Sequence, residues 1–135
     1  MSDVSAGPKS QCMGVSPLFL VPDVLKAAEY YRDVLGFAFG KPYGEPPCFV
    51  IVWRDCVDIM LKLVTDPGRI RPNGIEGAWD AYVWVSDIEG MKTDLKARGA
   101  NIVSETPETF YQTKEIDVVD IHGYRICFAQ NTARK

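Results

Sequence analysis

One pattern constrains this chain more than any other: a strand, an amphipathic helix and three further strands are written in it twice. In the first copy, an apolar run over residues 15–21 leads into Asp23. Val24, Ala27, Ala28, Tyr31, Val34 and Leu35 then recur at helical spacing as far as Gly36. Asp23 offers a carboxylate to the free amides of the first helical turn, and Gly36 supplies the left-handed conformation that ends the helix. Residues 37–39, 48–53 and 56–64 read as three strands, the first two separated by the turn-rich residues 41–47. A loop carrying Pro67, Gly68, Pro72, Gly74 and Gly77 follows, and the order then starts again. Residues 81–85 form a strand, and Ser86 with Glu89 stands at capping-box spacing. Ile88, Met91 and Leu95 trace a second helix that stops at Gly99. Residues 101–103, 115–119 and 124–130 complete the second set of three strands.

The expected fold is therefore α+β. Two β-α-β-β-β modules bury more apolar surface together than apart, forming a curved, mixed eight-stranded sheet with the helices on its outer face and a cleft on its inner face. The chain divides into a flexible leader over residues 1–13, a first module over 14–64, a linker loop over 65–78, a second module over 79–130 and a tail over 131–135. At 135 residues and 47% apolar composition it accommodates one such domain. Its 18 acidic and 15 basic residues are interspersed, without the basic cluster that neutralises a phosphate backbone, so no nucleic-acid partner is expected. No apolar run approaches the roughly 20 residues that span a bilayer, and the start lacks the order of a signal peptide, so no membrane partner is expected either. Cys12, Cys48, Cys56 and Cys127 are scattered without a Cys-x-x-Cys spacing, which fits free thiols in the cytoplasm rather than zinc or disulfides.

The residues Val21-Pro22-Asp23 with Tyr30-Tyr31-Arg32-Asp33-Val34-Leu35-Gly36-Phe37, and Val85-Ser86-Asp87 with Asp120-Ile121-His122-Gly123-Tyr124-Arg125-Ile126, give the chain its kinship. Over residues 15–130 it resembles the vicinal oxygen chelate superfamily, which includes glyoxalase I, extradiol dioxygenases, and fosfomycin- and bleomycin-resistance proteins. The resemblance implies a small-molecule ligand, and it implies a homodimer in which a partner completes or flanks each cleft. In metal-using members a His in each half's first strand and a Glu in each half's last strand hold a divalent ion. The positions that correspond here are Ser16, Asp80, Met60 and Cys127, none of which is that ligand. The chain's single histidine, His122, falls in a turn and is read as a water-contacting turn residue, so a site needing two imidazoles cannot form within one chain. The expected cofactor is none.

If Ser16 and Asp80 point inward, strand alternation brings Leu18, Leu20, Tyr82 and Trp84 to the same face. Trp53 joins them if its strand has the matching parity, which the sequence leaves open. Tyr111 and Glu115 fall where relatives place residues of the cleft. The candidate ligand-binding set is thus Ser16, Trp53, Met60, Asp80, Tyr82, Trp84, Tyr111, Glu115 and Cys127. Its aromatic members suit a planar or apolar ligand, while Asp80 beside them suits a base or an anchor for a cation. Three readings follow: a metal-free protein that binds or sequesters an aromatic or cationic ligand; a lyase, isomerase or dioxygenase-type enzyme with a divergent metal site or an Asp/Glu base; and a subunit whose cleft is filled by its own side chains. The first is the expectation adopted.

Overall fold

A computed structural model describes residues 9–133 of the chain. The expected leader and tail thus lie partly outside the described residues. The first module runs β1 (Leu18–Val21), α1 (Val24–Leu35), β2 (Ala38–Phe39), β3 (Phe49–Arg54) and β4 (Val57–Leu63). The second repeats it as β5 (Ala81–Trp84), α2 (Ile88–Ala97), β6 (Ile102–Thr106), β7 (Thr113–Val119) and β8 (Arg125–Asn131). The eight strands form two mixed sheets of four, in the orders β1-β4-β3-β2 and β5-β8-β7-β6. In each sheet the first strand lies parallel to the last and the other pairs are antiparallel. Each helix packs on the two inner strands of its own sheet, α1 on β3 and β4, α2 on β7 and β8.

The helices form where their apolar spacing and caps agree. In α1, Val24, Ala27, Ala28, Tyr31 and Leu35 are buried, and Asp23 accepts a hydrogen bond from Lys26 N at 3.0 Å. Gly36 takes φ 78°, a left-handed conformation that favours glycine. In α2 the cap is not Ser86 but Asp87, whose carboxylate accepts from Gly90 N at 3.1 Å. The helix begins one residue later than the capping-box spacing implies, and its first residue, Ile88, is 3% exposed in the core. Asp87 thus caps α2 as Asp23 caps α1.

Strand limits differ most from the sequence reading at the starts of β1 and β7 and at the end of β6, which runs to Thr106 rather than to residue 103. β1 begins at Leu18, where its ladder with β4 begins, and Val15 is left exposed. β7 begins at Thr113, two residues earlier than expected. The linker over residues 65–78 holds two short 3-10 turns, Pro67–Arg69 and Asn73–Glu76.

Buried apolar residues of both modules form one cluster, with Phe19, Leu35 and Ile59 from the first and Val83, Leu95 and Phe128 from the second. Phe19 stacks on Tyr124 with centroids 4.2 Å apart, and the Tyr124 hydroxyl donates to Leu20 O at 2.6 Å. The Tyr31 hydroxyl of α1 donates to Asp120 Oδ2 at 2.6 Å in the β7–β8 turn. These contacts set the second module against the first.

Candidate functional site

Strand parity is settled by which residues meet the helices. In the first sheet Phe19, Val21, Val50, Val52, Ile59 and Leu61 are buried, so the opposite face carries Leu18, Leu20, Phe49, Ile51, Trp53 and Met60. In the second, Val83, Ile116, Val118, Ile126 and Phe128 are buried by the same logic, and the opposite face carries Tyr82, Trp84, Glu115, Asp117, Cys127 and Ala129. Ladder register arranges these last six in two rows across β5, β8 and β7: Tyr82–Cys127–Asp117 and Trp84–Ala129–Glu115. Each row sets an aromatic ring and a carboxylate on either side of a small residue.

The carboxylates are nearly buried, Glu115 at 7% and Asp117 at 6% exposure. Such groups need hydrogen-bond partners. Glu115 Oε2 accepts from the hydroxyls of Tyr82 at 2.6 Å, Tyr111 at 2.7 Å and Thr113 at 2.9 Å. Asp117 Oδ2 accepts from Arg125 Nε at 2.7 Å and from the Trp79 indole N–H at 3.0 Å. Burial, reinforced by the bond to Glu115, raises the Tyr82 phenol well above its ordinary range. The bond to Glu115, followed by burial, raises that of Tyr111. Both hydroxyls therefore remain donors. Trp79, Tyr82 and Trp84 form a ring array with successive centroids 4.7 and 5.1 Å apart, and Trp84 is 60% exposed.

Of the residues singled out from the sequence, Tyr82, Tyr111, Glu115 and Cys127 come together here with Trp84 beside them. Trp53 and Met60 lie on the matching face of the first sheet, where Trp53 pairs with Asp58 and Met60 with Leu18 and Ile51. Ser16 donates to Asp58. Asp80 is the largest departure, because its carboxylate is committed to backbone amides. Oδ1 accepts from Asn73 N at 2.7 Å, and Oδ2 from Gly74 N at 3.1 Å and Arg125 N at 2.8 Å. It clamps the linker to the start of β8, and Gly74 fits that seat because a Cβ would lie 2.1 Å from Gly123 O. His122 is likewise no freely hydrated turn residue, since its Nε2 is buried without a hydrogen-bond partner.

Sequence reasoning missed Asp117, Trp79, Thr113 and Arg125. Asp117 was within reach, because period-two alternation puts it on the face of Glu115. Trp79 was not, since it precedes the strand and only its indole bond brings it to the site.

Two grooves open at the junction of the modules. One, of about 470 Å³, is lined by Val15, Pro17, Val57, Asp80, Tyr82 and Trp84 among others. The other, of about 490 Å³, includes Phe37, Arg54, Met91 and Phe128. Cys56, Val57, Val83 and Trp84 line both, so Trp84 stands where the grooves meet the aromatic array.

The four positions that correspond to metal ligands do not fit a divalent ion. Ser16 is bonded to Asp58, Met60 offers a thioether, and Asp80 already accepts three amide bonds. Burial, with Asp117 and Glu115 nearby, pushes the Cys127 thiol far above its ordinary range and keeps it protonated, unsuited to metal or nucleophilic chemistry. Register also pairs Met60 with Leu18 and Cys127 with Tyr82, rather than with Ser16 and Asp80. Among the described residues no group of three or more His, Cys, Asp or Glu is placed to hold a metal, and no helix is long and apolar enough to cross a membrane.

The model of the glyoxalase/bleomycin resistance protein/dioxygenase superfamily matches residues 15–128. No curated protein matches the chain. Similar solved structures include a glyoxalase-related enzyme from Clostridium phytofermentans, with TM-score 0.72, 11% identity, and coverage of 93% of this chain and 99% of that one. The bleomycin-binding protein of Streptomyces verticillus, solved with copper(II)-bleomycin, aligns at TM-score 0.66 and 16% identity over 93% and 99% of the two chains. An antibiotic-binding protein from a Streptomyces species aligns at 0.63 and 21% over 90% and 99%. At these identities the likeness is one of fold.

Proposed function

This chain belongs to the glyoxalase/bleomycin resistance protein/dioxygenase superfamily, and we propose that within it the protein binds or sequesters a small aromatic or cationic molecule without a metal. The observation that carries the reading is the pair of rows on the second sheet, where the half-buried Tyr82 ring and the exposed Trp84 ring face nearly buried carboxylates across small residues. Rings supply stacking surface at low entropic cost, and carboxylates supply charge complementarity to a cation. The solved bleomycin- and antibiotic-binding proteins of the same fold support this reading. The lyase, isomerase or dioxygenase-type alternative keeps Glu115 as its candidate base, since Asp80 is occupied by amides.

We further propose a cytoplasmic homodimer. Leu18 and Trp53, on the same face of the first sheet, are 46% and 44% exposed, an apolar surface that a second copy would cover.

Thermal-shift and tryptophan-fluorescence titration with planar aromatic cations, with and without divalent ions, tests the binding reading. The expected result is stabilisation by such a ligand, no response to metal, and affinity about tenfold weaker in Trp84→Ala. Stoichiometric metal in protein purified without chelator or affinity tag, or a large shift with one ion alone, moves the protein to the enzyme class.

A further inference from the structure

Two side chains bridge β8. Tyr82 reaches from β5 to Glu115, and Trp79 reaches to Asp117, both acids lying on β7. Cys127 and Ala129, which occupy the β8 positions of the two rows, have no exposed surface. They lie on the face away from α2, so side chains rather than the helix cover them.

The two bridges end on unlike acids. Asp117 is already paired with the Arg125 guanidinium at 2.7 Å. Glu115 receives its bonds from three uncharged hydroxyls, all on Oε2. A carboxylate held by neutral donors gains by exchanging one for a cationic N–H, because the cation adds the attraction of a full positive charge to the charge-assisted bond that the phenol already makes. Of the three donors, Tyr82 alone comes from outside the Tyr111–Glu115 segment, and it is the one flanked by Trp79 and Trp84.

We propose that Glu115 is the charge-reading position of this face and Tyr82 the gate over it: a cationic N–H group on a planar ligand replaces the Tyr82 hydroxyl on Glu115, and the released ring flanks the ligand beside Trp84. The inference rests on the binding function proposed above and narrows its ligand to planar molecules that carry a cationic N–H. An uncharged aromatic without amines has nothing to exchange and leaves the bridge closed.

Proflavine, a planar cation bearing amino groups, and acridine, the same ring system without them and uncharged near pH 7.5, are titrated into the full-length chain by fluorescence. Wild type is expected to bind proflavine the tighter. Glu115→Gln should weaken proflavine about tenfold or more and leave acridine within about twofold. Tyr82→Phe should tighten proflavine about three- to tenfold, because it removes the competing donor. This gain is readable even if Glu115→Gln is poorly folded. Equal affinity for both dyes, unchanged in Glu115→Gln, overturns the inference while the binding function stands. Weaker proflavine binding in Tyr82→Phe makes Tyr82 a ligand contact rather than a gate and overturns it too. Binding of neither dye overturns the inference together with the reading beneath it.

Discussion

The two modules share a backbone plan and differ in what they place on the face away from their helices. In the first, the rows across β1, β4 and β3 read Leu18–Met60–Ile51 and Leu20–Lys62–Phe49. In the second, the same two rows across β5, β8 and β7 read Tyr82–Cys127–Asp117 and Trp84–Ala129–Glu115. Burial follows the chemistry. Along β3, buried residues alternate with half-buried or exposed ones, whereas β7 is buried on both faces from Glu115 to Val118. All four buried polar residues among those described, Thr113, Glu115, Asp117 and Asp120, belong to the second module. One copy of the unit therefore keeps an open face that is apolar but for Asp58 and Lys62, and the other has built a dense polar network. A duplicated fold can assign surface to one half and ligand chemistry to the other, because the backbone constrains only which positions share a face.

The contrast breaks most visibly if the polar network proves expendable. Arg125→Met leaves the nearly buried Asp117 without its cation and should cost about 2–3 kcal/mol in urea unfolding. Ser16→Ala, which removes a polar contact at the edge of the first module, should cost less than about 1 kcal/mol. Equal costs would mean that the two faces are energetically alike.

A smaller effect tests the symmetry of the helix starts. Asp23→Ala and Asp87→Ala should each lower stability by about 1 kcal/mol, while Ser86→Ala stays within about 0.5 kcal/mol. A larger loss from Ser86→Ala than from Asp87→Ala would restore the capping-box assignment and break the match between the helices.

The smallest effect concerns the latch between modules. Burial raises the Asp120 carboxyl above its ordinary range, against opposing bonds from Tyr31, His122 and Tyr124. The folded protein then holds this proton to higher pH than the unfolded chain. The resulting stabilisation is complete below about pH 4 and is lost as pH rises through the raised value. Melting temperatures of wild type relative to Asp120→Asn should therefore fall from pH 4 to pH 7. Parallel profiles would show that Asp120 titrates alike in both states.

Asp23, Gly36 and the spacing of Val24, Ala27, Tyr31 and Leu35 act within a few residues of themselves, and such local preferences survive in a linear string. The repeat, the order of its elements and the limits of α1 were legible for that reason, as were the aromatic residues Tyr82 and Trp84 of the candidate site. Asp87 was passed over as a cap although its match to Asp23 was visible, because the Ser86 and Glu89 spacing competes for the same turn. β1 was read too long because apolarity alone does not say where a ladder finds its partner.

What a long-range partner decides was out of reach. Asp80 reads in sequence as a lone carboxylate beside aromatic residues. Only in the folded chain do Asn73, Gly74 and Arg125 bring their amides to it and turn a candidate anchor into a clamp. Glu115 reads as a strand charge until Tyr82, from 33 positions earlier, reaches over β8 to donate to it. The sequence by itself determined two modules, their faces in alternation and the mismatch with the family's metal ligands. The tertiary structure decided which donors satisfy each carboxylate, because hydrogen bonding depends on distances that no spacing along the chain encodes.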